Sequence, residues 1–305
     1  AEPPAPFTPV LHSVSYAGVW RGQTRLDVDG FLLKAKELGF THVELMAKRP
    51  HVSPLDYDQA ARDRLRARVD ELGLKIACLA GYSDFTAGAE KPGIPSAEIG
   101  AIYVAELARL ARDLGCPRVR VFTGYERPGV PFDRQWGIVV EGLKRAARAA
   151  APYDVTLVVQ NHHDIAVHPD ALLWLIEEVN EPNCKAAFDA WSPALGGVNG
   201  EELAEAARKL APHMAWTTVA DYVKHPRYVY DASIVNYRRQ DDLVKAVPFG
   251  EGFIDYPAFF RGLREGGYEG FVAYEMCEVL EGGGSLENLD RTARHFLANF
   301  RKIVD

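Results

Sequence analysis

Long apolar runs are missing. None approaches the roughly 18 residues that a membrane-spanning helix needs, so no membrane partner is expected. Cysteine is scarce: Cys78, Cys116, Cys184 and Cys277 are far apart and form no CxxC pair. A disulfide framework is not expected in a chain of 305 residues, and three of the four lie in or beside apolar runs, as buried free thiols do. Positive charge is in deficit, with 35 Lys and Arg against 42 Asp and Glu and a net charge of −7. That balance argues against a nucleic-acid partner, which selects for a basic face. No GxGxxG follows the first apolar run, where "SVSYAGVWRGQT" stands instead, so the nucleotide loop of a doubly wound sheet is absent. Low-complexity segments and long linkers are absent too. The chain starts without Met at the Pro-rich "AEPPAPFTPV", as after loss of an export signal or at any internal starting point. A cytoplasmic location is the expectation, with an exported one left open.

What the chain does have is alternation. Short apolar runs at 10–16, 42–46, 75–79, 118–122, 156–160, 185–189, 214–220 and 271–275 read as strands. Each is followed by a stretch of helical period: 28–38, 57–72, 96–114, 133–151, 169–179, 201–210, 256–264 and 286–303. "KELGFTHVEL", "DELGLKIACL" and "RDLGCPRVRV" repeat one junction, in which Gly39, Gly73 and Gly115 stop a helix before a strand. Eight such units, with strands apolar on both faces, predict an α/β fold: one (β/α)8 TIM barrel spanning 1–305. It would carry an extended N-terminal arm (1–9) and a long insertion after strand 7 (221–254). That insertion, with its tyrosines and charges, reads as a substrate-covering or oligomer loop, so a homo-oligomer is possible.

In such a barrel the chemistry sits at the C-terminal strand ends. Strand 2 offers Glu44, strand 5 ends at Gln160, strand 6 at Asp189 and strand 8 at Glu275; strand 7 offers Thr218 and Asp221. Asp189 and Glu275 follow apolar strands and would be costly to bury as free anions. A shared divalent cation would offset that cost, and oxygen donors favour Mg²⁺ or Mn²⁺ over zinc.

The arrangement resembles the xylose-isomerase-like TIM barrels, the sugar phosphate isomerase/epimerase superfamily, over nearly the whole chain. The best local signature is "FGEGFIDYPAFFRGLREGGYEGFVAYEM": a Gly-x-Gly turn, an Ile-Asp-aromatic helix start, a Gly-Tyr-x-Gly turn and a last strand ending in Glu. "KAKELGFTHVEL" matches the family's first helix and second strand. The resemblance implies one divalent metal held by Glu, Asp, His and Glu from strands 5 to 8. Asp189 and Glu275 match; Gln160 stands at the first Glu and Thr218 near the His. The metal set expected is therefore Gln160, Asp189 and Glu275, with water or His163 at the remaining place.

The expected catalytic residues are His163, Glu275 and Gln160: Gln160 would hold a metal or a sugar hydroxyl but cannot take a proton, so His163, or its neighbour His162, is expected as base or acid. Either imidazole would also suit a cap on the next helix. Expected substrate-binding residues are His12 in strand 1, Glu44, His51 in "AKRPHVSP", Trp20, Trp191 and Arg227 in the insertion. Each has an ordinary alternative: core filling for His12 and the tryptophans, a solvated loop for His51.

The resemblance implies metal-dependent chemistry on a small carbohydrate through an enediolate, giving isomerisation or epimerisation. The same intermediate leads to a lyase, of the inosose-dehydratase or 3-keto-glycoside-cleaving kind. A sugar-binding barrel that has lost its metal is a third class. The DNA-repair endonucleases of the fold stand behind these, for want of histidine ligands and positive charge.

Overall fold

A computed structural model describes residues 6–304. Seven strands come first: β1 (Phe7–His12), β2 (His42–Met46), β3 (Lys75–Ala80), β4 (Arg118–Val121), β5 (Thr156–Gln160), β6 (Cys184–Ala187) and β7 (Met214–Val219). Next, β8 (Asp221–Asp231) and β9 (Asn236–Val247) form a two-stranded antiparallel ribbon, tied at its base by a bridge from Ala246 to Leu280. Last, β10 (Gly270–Tyr274) lies between β7 and β1 and closes a parallel eight-stranded barrel. The helices outside it are α1 (Val28–Leu38), α2 (Gln59–Glu71), α3 (Ser96–Asp113), α4 (Phe132–Ala150), α5 (Pro169–Val179), the short α6 (Trp191–Leu195), α7 (Gly200–Leu210), α8 (Tyr256–Glu265) and α9 (Leu286–Val304). The fold is a TIM barrel, as the sequence implies.

Two strands have boundaries that differ from expectation for local reasons, β1 first. Residues 7–9 of the expected arm are strand, and residues 1–5 lie outside the described residues. At its other end β1 stops at His12, because His12 Nδ1 accepts a hydrogen bond from Val14 N at 3.1 Å and turns the chain into a 3-10 turn, Ser13–Tyr16. The second is β6, which stops before Asp189; there Asn161 Oδ1, not a strand carbonyl, accepts from Asp189 N at 2.8 Å.

Strand parity positions the site. Side chains alternate across a strand, so Val43, Val119, Leu157 and Val159 face the helices and join the outer core. Val10, Cys78, Val158, Ala187, Trp216 and Ala273 form an apolar plug. One step of the same parity towards the C-terminal ends, apolar gives way to polar. Val10 is followed by His12, Val158 by Gln160, Ala187 by Asp189, Trp216 by Thr218 and Ala273 by Glu275, all buried. Arg120, at 1 % exposure, comes from β4.

The Gly-x-Gly turn of the sequence signature is structural. Asp221 Oδ2 accepts from Gly250 N at 2.9 Å and Gly252 N at 3.0 Å, which ties the start of the ribbon to the loop after it. A Cβ at Gly252 would fall 1.9 Å from Asp221 Oδ1, so only glycine fits there.

Candidate active site

A cavity of about 490 Å³ opens at the C-terminal mouth. Its floor includes Arg120 and Glu275, its walls Lys48, Tyr82, Phe122, Tyr125, His162 and His163, and its rim Trp20, Trp191 and Tyr222. The cluster "QNHH" divides its work. Gln160 and Asn161 brace the layer beneath: Asn161 Nδ2 donates to the carbonyl of Asp189 at 3.1 Å while its Oδ1 accepts from Asp189 N. The two histidines form a wall. His163 stacks on Tyr125 with ring centroids 4.0 Å apart and packs at a tilt of 52° against Phe122 at 4.4 Å, and its backbone has φ of 70°. A non-glycine residue there is uncommon and is held by its surroundings. Burial, aided by the charges of Arg120 and Lys48, pulls His163 down to about 4. Burial, aided by His163 and Arg120, takes His162 to about 3. Both imidazoles are neutral at pH 7.

Glu275 lines the cavity from the end of β10. His12 Nε2 lies 3.3 Å from Glu275 Oε2 and 3.9 Å from Glu44 Oε2. Since His12 Nδ1 accepts from Val14 N, a neutral His12 carries its proton on Nε2, facing these carboxylates. Burial raises Glu275, with Arg120 opposing. Burial likewise pushes Glu44 up to about 8 and Asp189 up to about 7, the latter against hydrogen bonds from Gln160 and Ser192.

Not every expected site residue reaches the cavity. His12, Glu44, Gln160 and Asp189 lie beneath it and act on what lines it. His51 does not reach it, because both of its nitrogens are engaged: Nδ1 with Ser13 Oγ and Nε2 with the carbonyl of Leu26, each at 2.9 Å. It fixes the loop after β2. Arg227 is exposed along the ribbon, beyond the Tyr222 and Val244 that do reach the cavity. Trp20 is held at the rim by Nε1 donating to the carbonyl of Met276 at 2.9 Å.

The residues do not fit the expected cation. Gln160 Oε1 accepts from Arg120 Nη1 at 3.2 Å, and Gln160 Nε2 donates to Asp189 Oδ2 at 2.9 Å. The reversed amide would set its NH2 against a guanidinium and its oxygen against a carboxylate, so the network fixes the orientation. The only ligand atom of Gln160 is thus taken by a cation. Asp189 Oδ1 accepts from Ser192 N at 2.7 Å, and Oδ2 also accepts from Ser192 Oγ at 3.0 Å. Thr218 offers only a buried hydroxyl. Among the described residues no group of three or more His, Cys, Asp or Glu is placed to hold a metal.

The family described as xylose isomerase-like TIM barrel matches residues 32–300. The chain belongs to this family. Among its relatives is a putative hydroxypyruvate isomerase of Streptomyces coelicolor, 28% identical over 203 residues, 61% of this chain and 70% of that one. Another is the putative L-ribulose-5-phosphate 3-epimerase SgbU of Escherichia coli, 28% identical over 254 residues, 80% of this chain and 82% of that one. The fold is also similar to D-psicose 3-epimerase of Clostridium cellulolyticum solved with D-tagatose: TM-score 0.73, 15% identity, 98% and 99% of the two chains covered. This xylose isomerase-like barrel is thus similar to sugar isomerases and epimerases.

Arg120 is the site residue that sequence reasoning missed. It lies within β4, in a short run that reads as a strand with no polar residue at its end. The usable signal was "RVRV", where alternation gives Arg118 and Arg120 the same face of an otherwise apolar run.

Proposed function

We propose that this barrel is an isomerase or epimerase of a keto sugar that works by proton transfer through an enediolate. The observation that carries the reading is Glu275: a buried carboxylate at the end of the last strand, lining the cavity, with His12 behind it and the histidine wall alongside. Glu275 removes the proton from the carbon beside the carbonyl and returns it, or passes it on. A carboxylate whose basicity burial has raised suits that task. His163, a neutral imidazole, orients a substrate hydroxyl from its wall. Trp20 and Trp191 give the sugar's C–H faces apolar surface. No step in this reading runs through a metal, since Gln160 and Asp189 have their donors and acceptors engaged with protein groups.

The test is deuterium wash-in from D₂O, followed by NMR, on hydroxypyruvate, D-fructose, D-tagatose, D-psicose and L-ribulose 5-phosphate. Wild type should exchange the proton beside the carbonyl of at least one. Glu275→Gln should slow that exchange on the order of 10²- to 10⁴-fold, and His163→Gln less. No exchange with any of them would end the isomerase reading. His163→Gln as slow as Glu275→Gln would move the base to the histidine wall.

A further inference from the structure

We propose that Arg120 holds the carbonyl oxygen of the substrate, and the enediolate oxygen it becomes, in the place of the divalent cation implied by the family resemblance. The inference rests on the isomerase reading above and deepens it.

A buried guanidinium is costly unless paired, and Arg120 is placed without a pairing carboxylate. Its Nη1 donates to the amide oxygen of Gln160 and its Nη2 to the carbonyl of Gly81 at 3.1 Å, both neutral acceptors. The plane rests against Phe122, 4.1 Å from the ring centroid, and Tyr82 at 4.9 Å. Among the described residues no Asp or Glu oxygen lies within 4.0 Å of its nitrogens. Its Nε–H is buried with no acceptor. The side chain nevertheless lines the cavity that holds Glu275. A fixed cation with free donors beside a base is what a developing oxyanion needs, because its donors are oriented before charge appears.

Gln160 then has a reason to be Gln. A carboxylate at that position would pair with Arg120 and cancel its charge. The amide fixes the guanidinium from one side and leaves the charge whole for the substrate, while its NH2 end holds Asp189.

The step balances without an added reagent. Glu275 takes the proton from the carbon beside the carbonyl. The C–H electron pair becomes the C=C bond, and the C=O π pair moves onto oxygen, where Arg120 stabilises it. Reprotonation at the same carbon from the other face, by a solvent water that takes the proton held on Glu275 in exchange, gives the epimer. At the neighbouring carbon, with a hydroxyl proton crossing between the two oxygens, it gives the isomer.

The experiment uses the intact chain in excess EDTA and reads binding of glycolohydroxamate, whose ionised form mimics the enediolate, by calorimetry. Wild type should bind it without metal, and Arg120→Met on the order of 10²- to 10³-fold more weakly, as loss of one oriented oxyanion donor commonly costs. Arg120→Lys keeps a buried cation and controls for folding, checked by circular dichroism; it should bind more weakly than wild type because ammonium lacks the guanidinium fork. A second arm titrates the wild type with Mn²⁺ and follows the free ion by electron paramagnetic resonance; no binding is expected below millimolar concentrations. The proposal is overturned if wild type takes up Mn²⁺ stoichiometrically at micromolar concentration, if the mimic fails to bind in EDTA, or if folded Arg120→Met binds it as wild type does. Silence on every ketose with the mimic still bound through Arg120 would sink the isomerase reading alone.

Discussion

Glu44 is fully buried, and neither of its carboxylate oxygens has a hydrogen-bond partner. An anion so placed would be expensive, and a neutral acid is less so. Burial accordingly lifts Glu44 to about 8, with the charge of Glu275 adding and that of Arg120 opposing. The consequence for stability has a definite sign. Between an ordinary carboxyl value, about 4.3, and the raised one, the folded state holds a proton that the unfolded state has released. Stability therefore falls as pH rises through that window, with a slope of at most about 1.4 kcal/mol per pH unit from this one group. Glu44→Gln keeps the shape and removes the proton. Urea unfolding of both proteins at pH 5 and pH 8 should show the variant losing less stability over that interval than wild type. Asp189 and Glu275, also raised, add a slope of the same sign in both proteins, and His162 and His163, held low by burial, add one of the opposite sign below about pH 6.5, so Glu44 is read from the difference between wild type and variant. Equal losses in the two proteins would mean that Glu44 is ionised in the folded state.

At the scale of elements, legibility in the sequence tracks how local the cause is. The helix α1 begins and ends where the sequence says because both causes are local: Asp27 Oδ1 caps Gly30 N at 2.8 Å, and Gly39 takes φ of 93°. β2 and β5 are equally plain apolar runs. The place of His51 is not legible in the sequence, because its two hydrogen-bond partners, Ser13 and Leu26, are distant in the chain and meet only in the folded barrel. Arg62 illustrates the same limit. From an exposed-looking run, "ARDRLRARVD", it reaches 3 % exposure between α2 and α3. There Nη1 donates to Asp113 Oδ2 at 2.9 Å, Nη2 to Glu106 Oε1 at 3.0 Å and Nε to the carbonyl of Tyr57 at 3.0 Å. Its neighbours Arg64 and Arg66 have no comparable set of partners. Arg62→Ala removes one of the two counter-charges of Asp113, whose side chain is 9 % exposed and keeps Arg112 Nη2 at 2.9 Å, and should cost about 2 kcal/mol, read as a shift in the urea midpoint. Arg64→Ala is the control and should stay within about 0.5 kcal/mol. Equal effects would show that α2 and α3 are held by apolar contact alone.

At the scale of the molecule, the ribbon of β8 and β9 stands apart from the barrel. Its base is anchored: Tyr222, Ala246 and Val247 are buried, and Asp221 is cradled by the Gly-x-Gly turn. Beyond that base the side chains of Tyr228, Val229, Tyr230, Ile234, Val235, Tyr237 and Leu243 are exposed, so this stretch adds nothing to the hydrophobic core of the described chain. A two-stranded ribbon in water is marginal by itself, and its hydrogen bonds replace those that water would make. The barrel's stability should therefore be nearly indifferent to it. Replacing residues 226–242 by Asn-Gly would join His225 to Leu243, which already face each other across the ribbon, through a two-residue turn suited to a hairpin. Tyr222 and Val244, the ribbon residues that line the cavity, remain. The shortened chain should unfold within about 1 kcal/mol of wild type and keep its wash-in rate on whichever ketose wild type exchanges. A loss of several kcal/mol would mean that the distal ribbon is covered in solution and contributes to the fold. An unchanged fold with lost exchange would mean instead that it closes over the cavity during turnover.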